Sequence, residues 1–270
     1  QDIYVFRKPT TTESGDVINV GDVVDSIAAI GAGASVTVTI NRIVQWLGEL
    51  PTRHDASIRN FLDYYIGSTD APEPFGGREP DLAAYTRWLD DPASPPYALL
   101  TAPAGRGKSA VLAHWILRME PRQDVAVVFV PISERFQTNS ESVVFSALYA
   151  RLAHLHGERP ARAFSAAEYR GVFQDYLTRP LPDGRRLLVV LDGLDEAAGW
   201  EAQTGLFPTH APTHLKVLVA AREVAGELDW ATRLGWRILE DAQAFGLSTL
   251  SRDDLFEILQ RMGDPLAGLQ

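Results

Sequence analysis

The stretch that decides the fold is TAPAGRGKSAVLAHW, which runs from Thr101 to Trp115. Residues 102–109 have the G-x-x-x-x-G-K-S spacing of a phosphate-binding loop, with alanine in place of the first glycine. Gly105 and Gly107 let the backbone turn its N–H groups inward around an anion. The positive end of the helix that follows points at the same place. The stretch therefore predicts a strand, a phosphate-binding turn and a helix.

Two side chains of this loop suit a nucleotide. The Lys108 ammonium has the length to reach β- and γ-phosphates, and the Ser109 hydroxyl can ligate Mg²⁺. Further contacts are expected from the surrounding loop residues, which are Ala104, Gly105, Arg106, Gly107 and Ala110. The Arg106 side chain has two interpretations, since it could contact either a phosphate or solvent.

An acidic motif, DGLDE, overlaps the end of the apolar run RLLVVLD at residues 186–192. Asp192 ends this predicted strand beside the loop, where a carboxylate can hold Mg²⁺ through water. Asp195 and Glu196 follow within reach of an attacking water, which a carboxylate can polarise. The alternative is an acidic turn that caps the next helix.

Two arginines are candidates for contact with a γ-phosphate. Arg222 ends the apolar run LKVLVAAR, so it would face this phosphate from the carboxyl end of a neighbouring strand. Arg135, which follows the second predicted strand, could approach the same side. Each also has a plainer interpretation, as a surface or salt-bridge arginine.

Apolar runs alternate with helical patterns over the second half of the chain, which is typical of parallel strands covered on both faces. These runs lie at residues 97–102, 125–131, 186–192 and 215–222. WRILE, at residues 236–240, has the same character more weakly and is predicted to be a fifth strand. A last helix is predicted with Ser251 as its N-cap.

Composition and charge limit the classes of protein that fit. Of 270 residues, 46% are hydrophobic, and the formal net charge is −10. Nucleic acids and anionic membranes attract positive surfaces, so we expect no direct contact with either. The absence of cysteine excludes disulfides and is compatible with a reducing compartment. We therefore expect a cytoplasmic protein, and we interpret the chain as a piece of a longer one.

Three regions are predicted along the chain. Residues 1–73 combine short strand and turn patterns with two helical stretches, NRIVQWLGEL and ASIRNFLDYYIG. They are expected to be either a linker or small packing module, or an element of assembly or a link to an upstream domain. A Pro- and Gly-rich boundary precedes the nucleotide-binding region, residues 74–240. Residues 241–270 are expected to begin a helical subdomain.

The motifs APAGRGKS, LLVVLDGLDEA and VLVAAR together resemble the STAND class of P-loop NTPases, and DGLDE resembles its NACHT branch. PFGGREPDLAAYTRWL resembles the F-x-G-R-E segment of that class, and MGDPLAGL resembles its G-x-P element. The resemblance covers about residues 73–270. It implies an α/β fold of the ASCE type, with Phe75 and Arg78 near the base of the nucleotide and Pro265 packed on adenine. This chain departs from the pattern at Ala102, Ala220, Ala221 and Asp264.

The same resemblance implies an ATP/ADP-binding switch in an NLR-like protein of antiviral defence. Bound ADP would favour a closed monomer, and bound ATP would favour a form that oligomerises, with Mg²⁺ as the cofactor. Slow hydrolysis of ATP would return the switch to the closed monomer. An effector and a sensor domain would lie outside this chain. Three alternatives remain open: a scaffold that holds ADP without turnover, an enzyme that transfers a phosphoryl group to a small substrate, and a DNA-dependent ATPase. The charge of −10 speaks against the last.

Overall fold

The computed structural model of the protein describes residues 55–68, 71–159, 165–223 and 229–261. The patterns noted before residue 55, and Pro265 in the G-x-P element, lie outside these residues. Seven strands are described: β1 (Gly67–Ser68), β2 (Ala71–Pro72), β3 (Tyr97–Ala102), β4 (Val125–Pro131), β5 (Arg186–Asp192), β6 (Leu215–Arg222) and β7 (Ala242–Gly246). The α-helices are α1 (Asp55–Ile66), α2 (Glu79–Asp90), α3 (Lys108–Met119), α4 (Glu141–Leu155), α5 (Ala166–Thr178), α6 (Trp230–Leu234) and α7 (Arg252–Arg261).

The central sheet has five parallel strands in the spatial order β4-β5-β6-β3-β7, and β1 and β2 form a separate antiparallel pair. Every residue of β4 is buried, and so are nearly all residues of β5 and β6. Because successive side chains of a strand point to opposite faces, both faces of the sheet are covered. The four strands predicted from uniformly apolar runs are confirmed.

The fifth strand was predicted at the wrong place. Residues 236–240 do not form it, and β7 follows them and pairs with β3. The reason is a tight turn: the Arg237 backbone N–H donates to the Asp241 carboxylate, and the Asp241 N–H donates back to the Arg237 carbonyl oxygen at 2.8 Å. Leu239 in this turn has φ 76° and is 84% exposed. The sheet therefore extends to Gly246, past the predicted boundary at residue 240.

Helix ends and faces follow the sequence closely. Helix α2 buries Leu82, Tyr85, Trp88 and Leu89, and helix α3 buries Leu112, Trp115, Ile116 and Met119, as the spacing predicts. The Ser251 hydroxyl accepts a hydrogen bond from the Asp254 N–H at 3.1 Å, which confirms it as the N-cap of α7. Within the described part of the chain, no helix combines the length and the apolar character that a membrane span requires.

Helix α1 belongs to the same core as the sheet. Its apolar side chains Ile58, Phe61, Leu62 and Ile66 are buried. The helix packs against α3 and β4, and the Phe61 ring lies 5.7 Å from that of Phe129 in β4. The packed core thus begins at α1, before the boundary predicted at residue 74.

Candidate nucleotide site

The turn between β3 and α3 has the backbone that phosphate binding requires. Ala102 is the last residue of β3, and α3 begins at Lys108. Gly105 and Gly107 have φ values of 75° and 88°, which side chains of L-residues rarely tolerate. A Cβ added at either glycine would meet no atom within 4 Å, so these positions need glycine for conformation and leave open space beside the turn.

The Lys108 ammonium lies beside this turn. Its Nζ donates hydrogen bonds to the carbonyl oxygens of Ala102 at 2.7 Å and Pro103 at 3.3 Å. Burial lowers the pKa of the ammonium, and the charges of Asp195 and Asp192 oppose that shift. A cation held this way is positioned to bind an anion in the turn.

The Asp192 carboxyl lies at the end of β5, near Ser109 and Lys108, which both lower its pKa. It is 2% exposed, and its Oδ1 has no hydrogen-bond partner among the described residues. Burial raises the pKa of the carboxyl to about 7, since an unpaired buried charge is costly. A divalent cation would remove this cost, so Ser109 and Asp192 fit a Mg²⁺ site.

The protein's own ligands for such an ion are few. The described residues contain no group of three or more His, Cys, Asp or Glu side chains that could hold a metal. Mg²⁺ usually takes one or two protein oxygens and completes its shell with phosphates and water. The pair of Ser109 and Asp192 is therefore suited to a cation that arrives with phosphates.

A glycine directly after Asp192 shapes the acidic turn. Gly193 has φ 85°, and its N–H donates to the Ala220 carbonyl oxygen at 3.0 Å. A Cβ there would lie 2.4 Å from the Ile132 carbonyl oxygen. Only glycine fits, and the turn carries Asp195 and Glu196 back toward neighbouring loops.

Asp195 is bonded to the end of β6. Its carboxylate accepts a hydrogen bond from the Arg222 backbone N–H at 2.8 Å and lies 3.4 Å from the Arg222 Nε. Arg222 is in register with Ala102 on the adjacent strand β3, and its side chain is 48% exposed. The arginine therefore lies at the carboxyl edge of the sheet beside the phosphate-binding turn, with its guanidinium paired to Asp195.

Glu196 is held by the loop that follows β4. Its carboxylate accepts a hydrogen bond from the Glu134 N–H at 2.9 Å, and its backbone carbonyl accepts one from the Asn139 side chain at 3.1 Å. Arg135 in the same loop lies over the Tyr64 ring, 3.9 Å from its centroid. This loop thus contacts the acidic motif through Glu134 and Asn139, and Arg135 packs on aromatic side chains.

The F-x-G-R-E segment lies against the phosphate-binding turn. The Phe75 ring stacks on the His114 ring of α3 at 3.8 Å. Arg78 is 5% exposed and donates hydrogen bonds to the carbonyl oxygens of Arg106 at 3.0 Å and Ser248 at 3.1 Å. Arg78 therefore fixes the backbone of the turn to the segment after β7. A contact of Phe75 or Arg78 with a base stays a prediction.

Sequence reasoning missed Tyr65. This partly buried side chain of α1 lies near Ser109 and Asp192, which both affect the pKa of its phenol, although burial has the larger effect and raises that pKa. The signal was present, because residue 65 shares the helical stripe of Ile58, Phe61, Leu62 and Ile66. That stripe predicts a side chain on the inner face of the helix, although not which residue it meets.

Comparison with known proteins supports the same fold. The family model described as nephrocystin 3, N-terminal, matches residues 81–222, from α2 to the end of β6. Among solved structures, Cdc6p from Pyrobaculum aerophilum aligns with a TM-score of 0.50 and 19% identity, over 74% of this chain and 52% of that one. The ORC1 protein of Aeropyrum pernix, solved in complex with DNA, aligns with a TM-score of 0.48 and 21% identity, over 76% and 52%.

The chain spans about half the length of each of these solved proteins. No curated protein sequence matches it. At these identities the likeness to Cdc6p concerns the fold alone. Together with the parallel sheet and the turn before α3, it confirms the predicted fold class, an α/β P-loop NTPase fold.

Proposed function

Since the chain belongs to the nephrocystin 3, N-terminal, family, we propose that it binds ATP and ADP with Mg²⁺ and works as a nucleotide-dependent switch. The observation that carries the proposal is the buried Asp192 carboxyl, which lies near Ser109 and Lys108 of the phosphate-binding turn and has an unpartnered Oδ1. This combination suits a phosphate chain that brings its own divalent cation.

Each residue of the site has a defined task in this proposal. The N–H groups of the turn and the Lys108 ammonium bind the phosphates, while Ser109 and Asp192 hold the ion. Mg²⁺ bound there would neutralise charge on the phosphate oxygens. Arg222, half-exposed and next to β3, distinguishes ATP from ADP by leaving Asp195 for a γ-phosphate.

Hydrolysis depends on Glu196, which would accept a proton from the attacking water. Its carboxylate already accepts a hydrogen bond from the Glu134 N–H. This hydrogen bond ties the carboxylate to the loop after β4 and occupies one of its lone pairs. This supports turnover that is slow and that rises when the loop after β4 moves.

The finer assignment rests on the sequence motifs DGLDE, GGRE and GDPLA. We extend the proposal to the NACHT branch of STAND NTPases, with self-association in the ATP-bound form and a part in antiviral defence signalling in the cytoplasm. Effector and sensor domains would be partners from other parts of the protein, while nucleic acid and membranes would not be.

The proposal is tested by calorimetric titration with ATP and ADP in excess Mg²⁺. Lys108→Ala should abolish detectable binding of both. Arg118→Ala is the matched control, because it removes an exposed cation near the other end of α3 and should leave affinity unchanged. Undiminished affinity in Lys108→Ala would contradict the site. ADP released on denaturing the purified protein would support a resting switch, and ADP without any turnover would favour the scaffold.

A further inference from the structure

The loop between β4 and α4 contains a closed turn at residues 133–138. The Thr138 N–H donates to the Ser133 carbonyl oxygen at 2.9 Å, and the Ser133 N–H donates to the Thr138 hydroxyl at 3.0 Å. Between them, the Gln137 N–H donates to the Glu134 carbonyl oxygen at 3.1 Å, with Gln137 at φ 56°. Because these hydrogen bonds cross the turn, its residues are expected to move together.

One side of the 133–138 turn meets the acidic motif. The Glu134 N–H donates to the Glu196 carboxylate at 2.9 Å. Directly after the turn, the Asn139 side chain donates to the Glu196 backbone carbonyl oxygen at 3.1 Å, and the Asn139 carbonyl oxygen accepts from the Ala198 N–H at 3.0 Å. The position of the Glu196 carboxylate therefore depends on where the 133–138 turn lies.

The other side of the 133–138 turn lies against helix α1. The Arg135 guanidinium lies over the Tyr64 ring, 3.9 Å from its centroid. The Phe136 ring meets the Phe61 ring edge-on at 5.4 Å and lies 6.0 Å from the Tyr64 ring. Phe61 is buried in the core, whereas Tyr64 is 46% exposed and Arg135 is exposed. The turn thus joins α1 to the acidic motif, and its contact with Tyr64 is at the surface.

We propose that Arg135 and Tyr64 are positioning residues that restrain hydrolysis. Their stack keeps the 133–138 turn on α1, and the turn keeps the Glu196 carboxylate bonded to the Glu134 N–H. A guanidinium on an exposed aromatic ring contributes only a modest interaction, so the stack can open without unfolding the protein. Opening it frees the turn to move and gives the Glu196 carboxylate more freedom to reach the attacking water.

This inference rests on the proposed function, because Glu196 acts on water only if the protein hydrolyses ATP. It assigns the regulation of that step to α1, a helix that precedes the predicted nucleotide-binding region. Arg135 and Tyr64 lie outside the phosphate-binding turn, so breaking their stack should change turnover and leave nucleotide binding as it is. A merely structural role would lower turnover or leave it unchanged.

The test compares variants that keep the stack with variants that remove it. Tyr64→Leu removes the aromatic face, whereas Tyr64→Phe keeps it. Arg135→Met removes the guanidinium, and Arg87→Met, at an exposed position of α2, is its matched control. The kcat and KM for ATP are measured by phosphate release in excess Mg²⁺. We expect Tyr64→Leu and Arg135→Met each to raise kcat about 2- to 5-fold with KM unchanged. Tyr64→Phe and Arg87→Met should match the parent.

Two combined variants show whether the effect passes through this contact and through Glu196. Tyr64→Leu and Arg135→Met break the same stack, so the double variant should turn over no faster than either single variant. In a Glu196→Gln background, Arg135→Met should cause no rise in kcat, because an amide does not accept the proton.

A kcat that is unchanged or lowered, additive effects in the double variant, or a rise that persists in Glu196→Gln would overturn the inference while leaving the nucleotide site in place. A changed KM, or a parent protein that binds ATP without turnover, would do the same. A parent protein that binds no nucleotide would overturn the proposed function, and this inference with it.

Discussion

The Glu196 carboxylate accepts a hydrogen bond from the backbone N–H of Glu134 at 2.9 Å. The residue that we propose as the base for hydrolysis is therefore bonded to the loop after β4. A change in this loop alters the base without touching the phosphate-binding turn, so binding and turnover can be separated by mutation.

Glu196→Gln should lower the rate of phosphate release about 100-fold or more, because an amide cannot take a proton from water. ATP affinity should stay within about twofold of the parent, since the amide oxygen still accepts from the Glu134 N–H. Glu134→Gln is the control: it alters a nearby carboxylate and keeps the same N–H. Equal turnover by Glu196→Gln and the parent would rule out Glu196 as the base.

Gly193→Ala should destabilise the protein by at least about 2 kcal/mol. The added Cβ would lie 2.4 Å from the Ile132 carbonyl oxygen, at a φ of 85°, and left-handed backbone alone costs an L-residue about 1–2 kcal/mol. The control is Gly171→Ala in helix α5, where a Cβ meets no atom within 4 Å. That change should be neutral or stabilising by up to about 1 kcal/mol. Urea denaturation measures the free energy of unfolding of both variants. Equal changes in Gly193→Ala and Gly171→Ala would contradict the prediction.

Arg78→Met should cost about 2–3 kcal/mol of stability and weaken nucleotide binding. Removing the guanidinium leaves the carbonyl oxygens of Arg106 and Ser248 without their buried donor, and the first of these belongs to the phosphate-binding turn. Arg87→Met, at an exposed position of helix α2, should change neither stability nor affinity. Thermal melting and calorimetry measure the two effects, and a loss of stability with unchanged affinity would show that the turn does not depend on Arg78.

Lys216 should titrate far below an ordinary lysine. Its Nζ donates to the carbonyl oxygens of Ser94 at 2.8 Å and Pro95 at 3.1 Å, and burial lowers the pKa from 10.5 to about 8. Between these values the unfolded chain binds the extra proton, so stability rises with pH. The contribution of Lys216 to the free energy of unfolding is at its maximum above about pH 10.5 and is lost as the pH falls through about 8.

The measurement is a ¹³C NMR titration of lysine ε-carbons. The chain has only three lysines, so Lys216→Arg identifies the signal by its disappearance. The free energy of unfolding of the parent, minus that of Lys216→Met, should increase from pH 8 to pH 10. An ε-carbon of Lys216 that titrates near pH 10.5 would contradict the prediction.

Much of the fold could be predicted because buried parallel strands are apolar along their whole length, as in VAVVFVP and RLLVVLD. The site residues of the phosphate-binding turn were predictable because glycine spacing and lysine position encode a local backbone shape. The strand β7 was not predictable from the sequence, since AQAFG contains no β-branched residue. This segment becomes a strand only by pairing with β3. The contacts of Arg78 and Glu134 depend on segments distant in sequence, so local patterns do not specify them.

Helix α1 also sets where the packed region of the chain begins. Its side chains Ile58, Phe61, Leu62 and Ile66 are buried, and the helix packs against α3 and β4. A shortened chain that begins after α1 would expose the apolar surfaces of α3 and β4 that this helix covers, and exposed apolar patches of this kind favour aggregation. A fragment meant to bind nucleotide should therefore begin before Asp55.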